Sequence, residues 1–290
     1  MLHTMFNGLA MALADSVPGV SGGTIAYILG FYERFINALH ALFSKNPAQR
    51  MEAIIYFCKF GMGWLIGMGS SVMILTSIFD TNIYFLSSVF VGLTAAAIPY
   101  ILRAESATLS KSYSSSIFVL IGALMVVLLT ASRSFAAGAA SLNLLNLTLW
   151  QHIYLVIVGI LAISAMLLPG ISGSTLLLIL GAYMPIITAI KEVIQLNLSY
   201  LYGLLPLALG VILGMAFASG VIKAALCRYR TQMVYLIVGL MLGSIYAIIM
   251  GPTTLPQPQA PLNFASFDLF GFIFGATMLV GLEAIREAKE

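Results

Sequence analysis

SVPGVSGGTIAYILG, residues Ser16–Gly30, interrupts an otherwise oily sequence with a proline, glycines and hydroxyls, and LLPGISGSTLLLILG, residues Leu167–Gly181, repeats the interruption in nearly the same words. With Pro18 set against Pro169, eleven of the 23 positions from Val17 to Leu39 are identical to those from Leu168 to Ile190. They include Pro18, Gly19, Ser21, Gly22, Thr24, Gly30 and Tyr32 with their partners. A lone Gly-x-Ser-Gly is a weak signal, but a paired match of this length reads as an internal duplication. Two further echoes share an offset of 147: Gly63-x-x-x-Gly67-Met68 with Gly210-x-x-x-Gly214-Met215, and Val91-Gly92-Leu93 with Val238-Gly239-Leu240. The Gly-x-x-x-Gly pairs read as helix-packing faces.

The setting of these breaks is a membrane. Of 290 residues, 61% are hydrophobic and 8% charged, against roughly 25% charged in soluble domains. So few charges cannot cover a water-facing surface, and the chain reads as an all-α integral membrane protein. Apolar runs at Trp64–Phe79, Phe85–Leu102, Ile117–Ala131, Ile153–Leu168, Leu201–Val221, Met233–Met250 and Phe267–Leu282 approach the roughly 20 residues that cross a bilayer. A net charge of +3 gives no case for nucleic acid. Cys58, Cys227 and the scattered histidines have neither disulfide nor metal spacing. Ala12-x-Ala14 mimics a signal-peptidase site, but the stretch before it is short, holds Asn7 and lacks a positive start, so it reads as mature structure.

The duplication predicts two repeats of inverted topology, residues 1–140 and 141–290. Each is expected to open with a helical hairpin, about 5–43 in the first and about 151–191 in the second, and to continue with three transmembrane helices; segment length favours a re-entrant hairpin, while two full spans in its place would give the same charge parity. In the first hairpin the outgoing helix is expected over Thr24–Phe43. Irregular backbone at membrane depth is tolerated where protein or a water-filled cavity surrounds it. Three crossings turn the second half upside down. Basic residues agree: Lys45, Arg50, Lys59, Arg103, Lys111, Lys223, Arg228, Arg230, Arg286 and Lys289 fall on one side, Arg133 and Lys191 on the other. The positive-inside rule then puts both termini in the cytoplasm. Inverted repeats with broken helices belong to secondary transporters that bind substrate near the midplane.

The chemistry of the breaks points to an anion. Proline ends the incoming helix, and glycine allows tight turns and close backbone approach. The next helix begins with unpaired amides, which Ser21 or Thr24 can cap. An open helix N-terminus suits phosphate or carboxylate. The candidate phosphate-binding residues are Gly19, Ser21, Gly22, Gly23 and Thr24 with Arg34, and Gly170, Ser172, Gly173, Ser174 and Thr175 in the second copy. Asp15, Glu33 and Arg34 attend only the first copy, their counterparts being Met166, Met184 and Pro185. Ionisable groups at membrane depth are expensive and functional. Asp15 either carries a coupling proton or cation or caps the turn, and Glu33 either pairs with Arg34 or titrates. A straight helix from Val20 would carry Arg34 about 21 Å, beyond a half-core of about 15 Å, where it captures a lipid phosphate or snorkels; a bend at Gly30 or a tilted hairpin would bring it deeper. No cofactor is expected beyond a proton or sodium gradient.

DSVPGVSGGTIAYILGFYERFI (Asp15–Ile36) together with LLPGISGSTLLLILGAY (Leu167–Tyr183) resembles the bacterial PopT family of undecaprenyl-phosphate translocases, over essentially the whole chain. The architecture is also similar to that of the DedA family. The resemblance implies a flippase whose partner is a polyprenyl-phosphate lipid. It would return undecaprenyl phosphate from the outer to the inner leaflet of the bacterial cytoplasmic membrane, recycling the carrier for peptidoglycan and other envelope polymers. The rival reading is an ion-coupled secondary transporter of a small soluble anion. An intramembrane enzyme is disfavoured, because neither Ser21 nor Ser172 has a base placed by pattern. A non-transporting lipid receptor and a homo-oligomer stay open.

Overall fold

The computed structural model describes residues 2–15, 21–109, 113–136, 142–173, 176–177, 180–254 and 258–287, apart from the side chains of 71–81, 113, 133–136, 184, 191, 194, 254 and 282–287. Within them the chain is all-helical. The elements are α1 (Leu2–Asp15), α2 (Gly22–Ile28), α3 (Tyr32–Ala41), α4 (Pro47–Ala104), α5 (Ser106–Leu109) and α6 (Ile117–Ala136), then α7 (Leu149–Leu167), α8 (Tyr183–Ile194), α9 (Ser199–Arg228), α10 (Arg230–Ile249) and α11 (Leu269–Glu287).

Among the described residues six helices are long and apolar enough to cross a membrane: Pro47–Ser70 and Asn82–Ala104 within α4, Ser114–Ser132 around α6, and α7, α9 and α10. The chain is a multi-pass membrane protein. The seventh apolar run lies in α11, as the apolar helix Leu269–Gly281. α4 could not be one straight rod, since its 58 residues would reach about 87 Å. It bends at Asn82, whose φ of −140° and ψ of 37° leave the helical range.

The segments expected to form hairpins differ from expectation in two ways. α1 has 14 residues and rises about 21 Å, short of the roughly 30 Å core. α7 has 19 residues, opened by a capping box between Thr148 and Gln151, and is long enough to cross. The outgoing helix expected over Thr24–Phe43 is instead two helices, α2 and α3. Gly30 sits at φ +72°, with its N–H donating to Tyr27 O and the Phe31 N–H to Ala26 O. This left-handed closure ends a helix and favours glycine. Gly181 repeats it at φ +64°, with the Ala182 N–H donating to Leu177 O.

Small residues set the packing. The first part of α4 buries Ala53, Tyr56, Phe60, Gly63 and Gly67, spaced three or four apart on one face, and α1 lies along that face. A Cβ on Gly63 would stand 1.8 Å from the Met5 carbonyl oxygen, and one on Gly67 2.7 Å from that of Leu9. α7 lies on α9 in the same way, with Gly210 against Val156 and Gly214 against Ile160. Both Gly-x-x-x-Gly pairs are therefore packing faces, as their spacing implies. α11 packs on the second part of α4 through Gly92 and Gly275, and α6 packs on α10 through Gly122 and Gly239. The main core gathers Ile25 and Ala26 of α2, Ile36 of α3, Leu93 and Ala97 of α4, and Ile237 and Met241 of α10.

Candidate functional site

The two breaks meet. α7 ends at Leu167, and Leu168 turns extended at φ −86°, ψ 131°. Gly170 follows at φ +90°, where a Cβ would stand 2.5 Å from the Leu240 carbonyl oxygen. Only glycine combines that dihedral with that approach. From the other break, the Gly170 N–H donates to Thr24 Oγ1 at 2.7 Å, and Ser21 Oγ donates to Leu168 O at 3.5 Å. The Tyr32 hydroxyl donates to Leu167 O at 2.9 Å. A Cβ on Gly23 would press on the Met166 and Leu168 carbonyls at 3.3 Å. Ser21, Gly22, Gly23 and Thr24 are all buried, with Ser21 2% and Thr24 3% exposed, so the junction is closed to solvent.

Asp15 completes it. Its Oδ1 accepts the Gly22 N–H at 2.8 Å, while Oδ2 is buried, with no partner at hydrogen-bond geometry among the described residues. A Cβ on Gly22 would lie 2.6 and 2.7 Å from the two carboxylate oxygens, so the carboxylate needs glycine there. The amides expected to stand open are partly taken. Gly22 donates to Asp15, Thr24 and Ile25 donate to Ser21 O, and Gly170 donates to Thr24. Ser21 is the residue before α2, but its side chain makes no cap bond. Its hydroxyl points across to Leu168, and the carboxylate, a stronger acceptor than a hydroxyl, caps the helix from α1.

The other expected site residues are placed as follows. Gly173 and Ser172 lie in the second break, half-buried. Gly19, Ser174 and Thr175 lie outside the described residues. Glu33 and Arg34 sit beyond Gly30, on α3, and turn to different neighbours. Glu33 Oε1 pairs with Arg230 Nη1 at 3.0 Å. Arg230 also holds Glu105 through Nη2 at 2.7 Å and Nε at 3.3 Å. The Arg34 guanidinium lies 5.5 Å from the centre of the Tyr56 ring. Sequence reasoning missed Tyr32, Tyr56, Glu105 and Arg230 as partners of this region. Tyr32 carried a signal, its identity with Tyr183 across the repeat. The others are joined only by folding, Arg230 to Glu33 across nearly 200 residues.

A family model described as undecaprenyl phosphate translocase-like matches residues 11–263. A Staphylococcus aureus protein (strain NCTC 8325 / PS 47) named polyprenyl-phosphate transporter is 32% identical over 284 residues, covering 94% of each chain. A Vibrio cholerae protein (serotype O1, El Tor Inaba N16961) of the same name is 31% identical over 258 residues, 84% of this chain and 76% of the other. These names describe transporters, not enzymes. No solved structure matches the chain. With the match running from α1 into the segment before α11, the chain belongs to the VCA0040-like family, the undecaprenyl phosphate translocase-like proteins.

Proposed function

We propose that this protein is a flippase that returns undecaprenyl phosphate from the outer to the inner leaflet of the bacterial cytoplasmic membrane. The observation that carries the reading is the junction itself. Two glycine-proline breaks, one from each half of the chain, meet in the interior of an apolar helical protein whose relatives are named polyprenyl-phosphate transporters. The halves are taken as inverted repeats with both termini cytoplasmic. The recurrence of the α1–α4 packing as α7–α9, and of α11 on α4 as α6 on α10, supports that pairing.

The mechanism is alternating access. In the closed state the Asp15 carboxylate occupies the start of α2, where an incoming phosphate would bind. A phosphate entering between the breaks displaces it and takes up the amides and hydroxyls of Gly19, Ser21, Gly22, Gly23 and Thr24, and of Gly170, Ser172, Gly173, Ser174 and Thr175. The released Asp15 takes a proton or sodium ion, which couples flipping to a gradient, and Glu33 contributes through its pairing with Arg230. Arg34 supplies a fixed positive charge where the head group arrives or leaves. The polyprenyl tail stays in lipid throughout.

The test is flipping of labelled undecaprenyl phosphate in liposomes carrying the full chain. The expected result is translocation that the protein accelerates, impaired by Arg34→Ala and by Asp15→Asn. Uptake of soluble phosphate without lipid flipping would replace this reading with that of a small-anion transporter. Unimpaired flipping by both variants would remove the roles given to those residues.

A further inference from the structure

A recess of about 380 Å³ lies between the start of α1, α3 and the start of α4, apart from the junction of the breaks. Its walls bring together Thr4, Arg34, Asn37, Glu52, Tyr56 and Lys59. Two cations face one carboxylate there. Among the described residues the ion pairs within 4 Å are those of Arg230 with Glu33 and Glu105, so Arg34 and Lys59 keep their charge for a ligand. The Tyr56 hydroxyl is buried without a hydrogen-bond partner among the described residues, on a residue only 8% exposed. A buried hydroxyl left unmet is destabilising, and a bound acceptor oxygen reaching it from the recess would relieve that. The Arg34 guanidinium over the Tyr56 ring holds the two donors beside one another.

We propose that this recess is a second phosphate station, which takes the phosphomonoester head group of a membrane lipid separately from the buried junction. The donor set fits that group: a guanidinium and an ammonium for its charge, with the Tyr56 hydroxyl and the Asn37 amide for its remaining oxygens. A lipid is favoured over free phosphate by the rim. Ile55 lines the recess and is 47% exposed, and Met51, Met62 and Ile66 continue an exposed apolar stripe along α4. A head group in the recess would leave its tail on that stripe. The junction is closed in this state, so the recess is where a head group waits before entering or after leaving. This rests on the reading of the chain as a polyprenyl-phosphate transporter.

The experiment uses the full chain in phosphatidylcholine nanodiscs, with a polyprenyl phosphate carrying a photoreactive group in its first isoprene unit. Wild-type crosslinks are expected on residues 51–66 of α4, competed by unlabelled polyprenyl phosphate and not by the matching polyprenol. Tyr56→Phe, Lys59→Gln and Arg34→Gln should each weaken binding about three- to tenfold, with Arg34→Lys restoring part of it, and Glu52→Gln should strengthen it about threefold. Unchanged thermal unfolding identifies variants that still fold. Crosslinks confined to the two breaks, or binding indifferent to Lys59→Gln and Tyr56→Phe in folded protein, would overturn the station while leaving lipid transport standing. Competition by inorganic phosphate as strong as by the lipid, mole for mole, would overturn the assignment to a lipid head group. Failure of the wild-type protein to flip polyprenyl phosphate in liposomes would instead overturn the reading beneath it.

Discussion

Asp15 and Thr24 do opposite kinds of work at the junction, and substitution separates them. Asp15→Asn keeps a carbonyl oxygen for the Gly22 N–H now held at 2.8 Å but removes the charge. The fold should persist, with thermal unfolding in detergent shifted by the equivalent of less than about 1 kcal/mol. Flipping, if coupled through this group, should stop responding to an imposed proton or sodium gradient. Thr24→Val removes the acceptor of the Gly170 N–H at a buried site. An orphaned buried amide costs about 1–3 kcal/mol, so this variant should unfold at lower temperature whichever ion is present. Both residues were legible in the sequence because the repeat singled out the break. The sequence offered Asp15 as a cap for the turn and Ser21 or Thr24 as a cap for the helix; which of them caps α2 was not legible. The choice depends on α1 folding back to bring a carboxylate to Gly22, and no local pattern records that approach.

Helix packing here is written in glycine, and position decides its effect. Gly61 and Gly63 both lie on α4. A Cβ on Gly61 would meet nothing within 4 Å, whereas one on Gly63 would stand 1.8 Å from the Met5 carbonyl oxygen and 2.5 Å from its carbon. Because the obstacle is backbone, α1 itself must move. Gly63→Ala should therefore destabilise by about 1–3 kcal/mol, the range of overpacking, while Gly61→Ala, with open space for the methyl, should be neutral to stabilising by up to about 1 kcal/mol of helix propensity. Thermal unfolding of the two variants in one detergent checks the contrast. The spacing of Gly63 with Gly67 and of Gly210 with Gly214 announced these faces, since a close helix approach needs small residues one turn apart. The break at Gly30 was less legible. Leu29 and Phe31 beside it are apolar, so hydropathy runs on unbroken, and a glycine's letter does not reveal the sign of its φ. α7 starts at Leu149, two residues before the expected 151, because the Thr148–Gln151 capping box sets its first turn.

At the scale of the whole molecule, Arg230 ties three distant segments at one end of the bundle. It opens α10 and holds Glu33 of α3 and Glu105 just after α4, while Thr231 Oγ1 donates to Thr108 O and the Tyr235 hydroxyl to Leu109 O beside it. Magnitudes decide what such a knot can do. Arg230 is 45% exposed and Glu33 50%, with only Glu105 more enclosed at 17%. Exposed ion pairs are worth about 0–1 kcal/mol each, too little to hold a protein of this size folded. The same energy shifts a conformational equilibrium several-fold, since about 1.4 kcal/mol is a factor of ten. Arg230 is therefore placed to hold α3 to the start of α10 without deciding whether the protein folds. Arg230→Ala should leave thermal unfolding within about 1 kcal/mol of wild type yet raise hydrogen exchange in residues 32–41 and 101–109 by several-fold. A charge reversal at both ends, Arg230→Glu with Glu33→Arg, should recover part of that protection while Glu105 repels the new glutamate. Full unfolding on loss of Arg230, or exchange left unchanged in those segments, would show that this network does not hold α3 in that way.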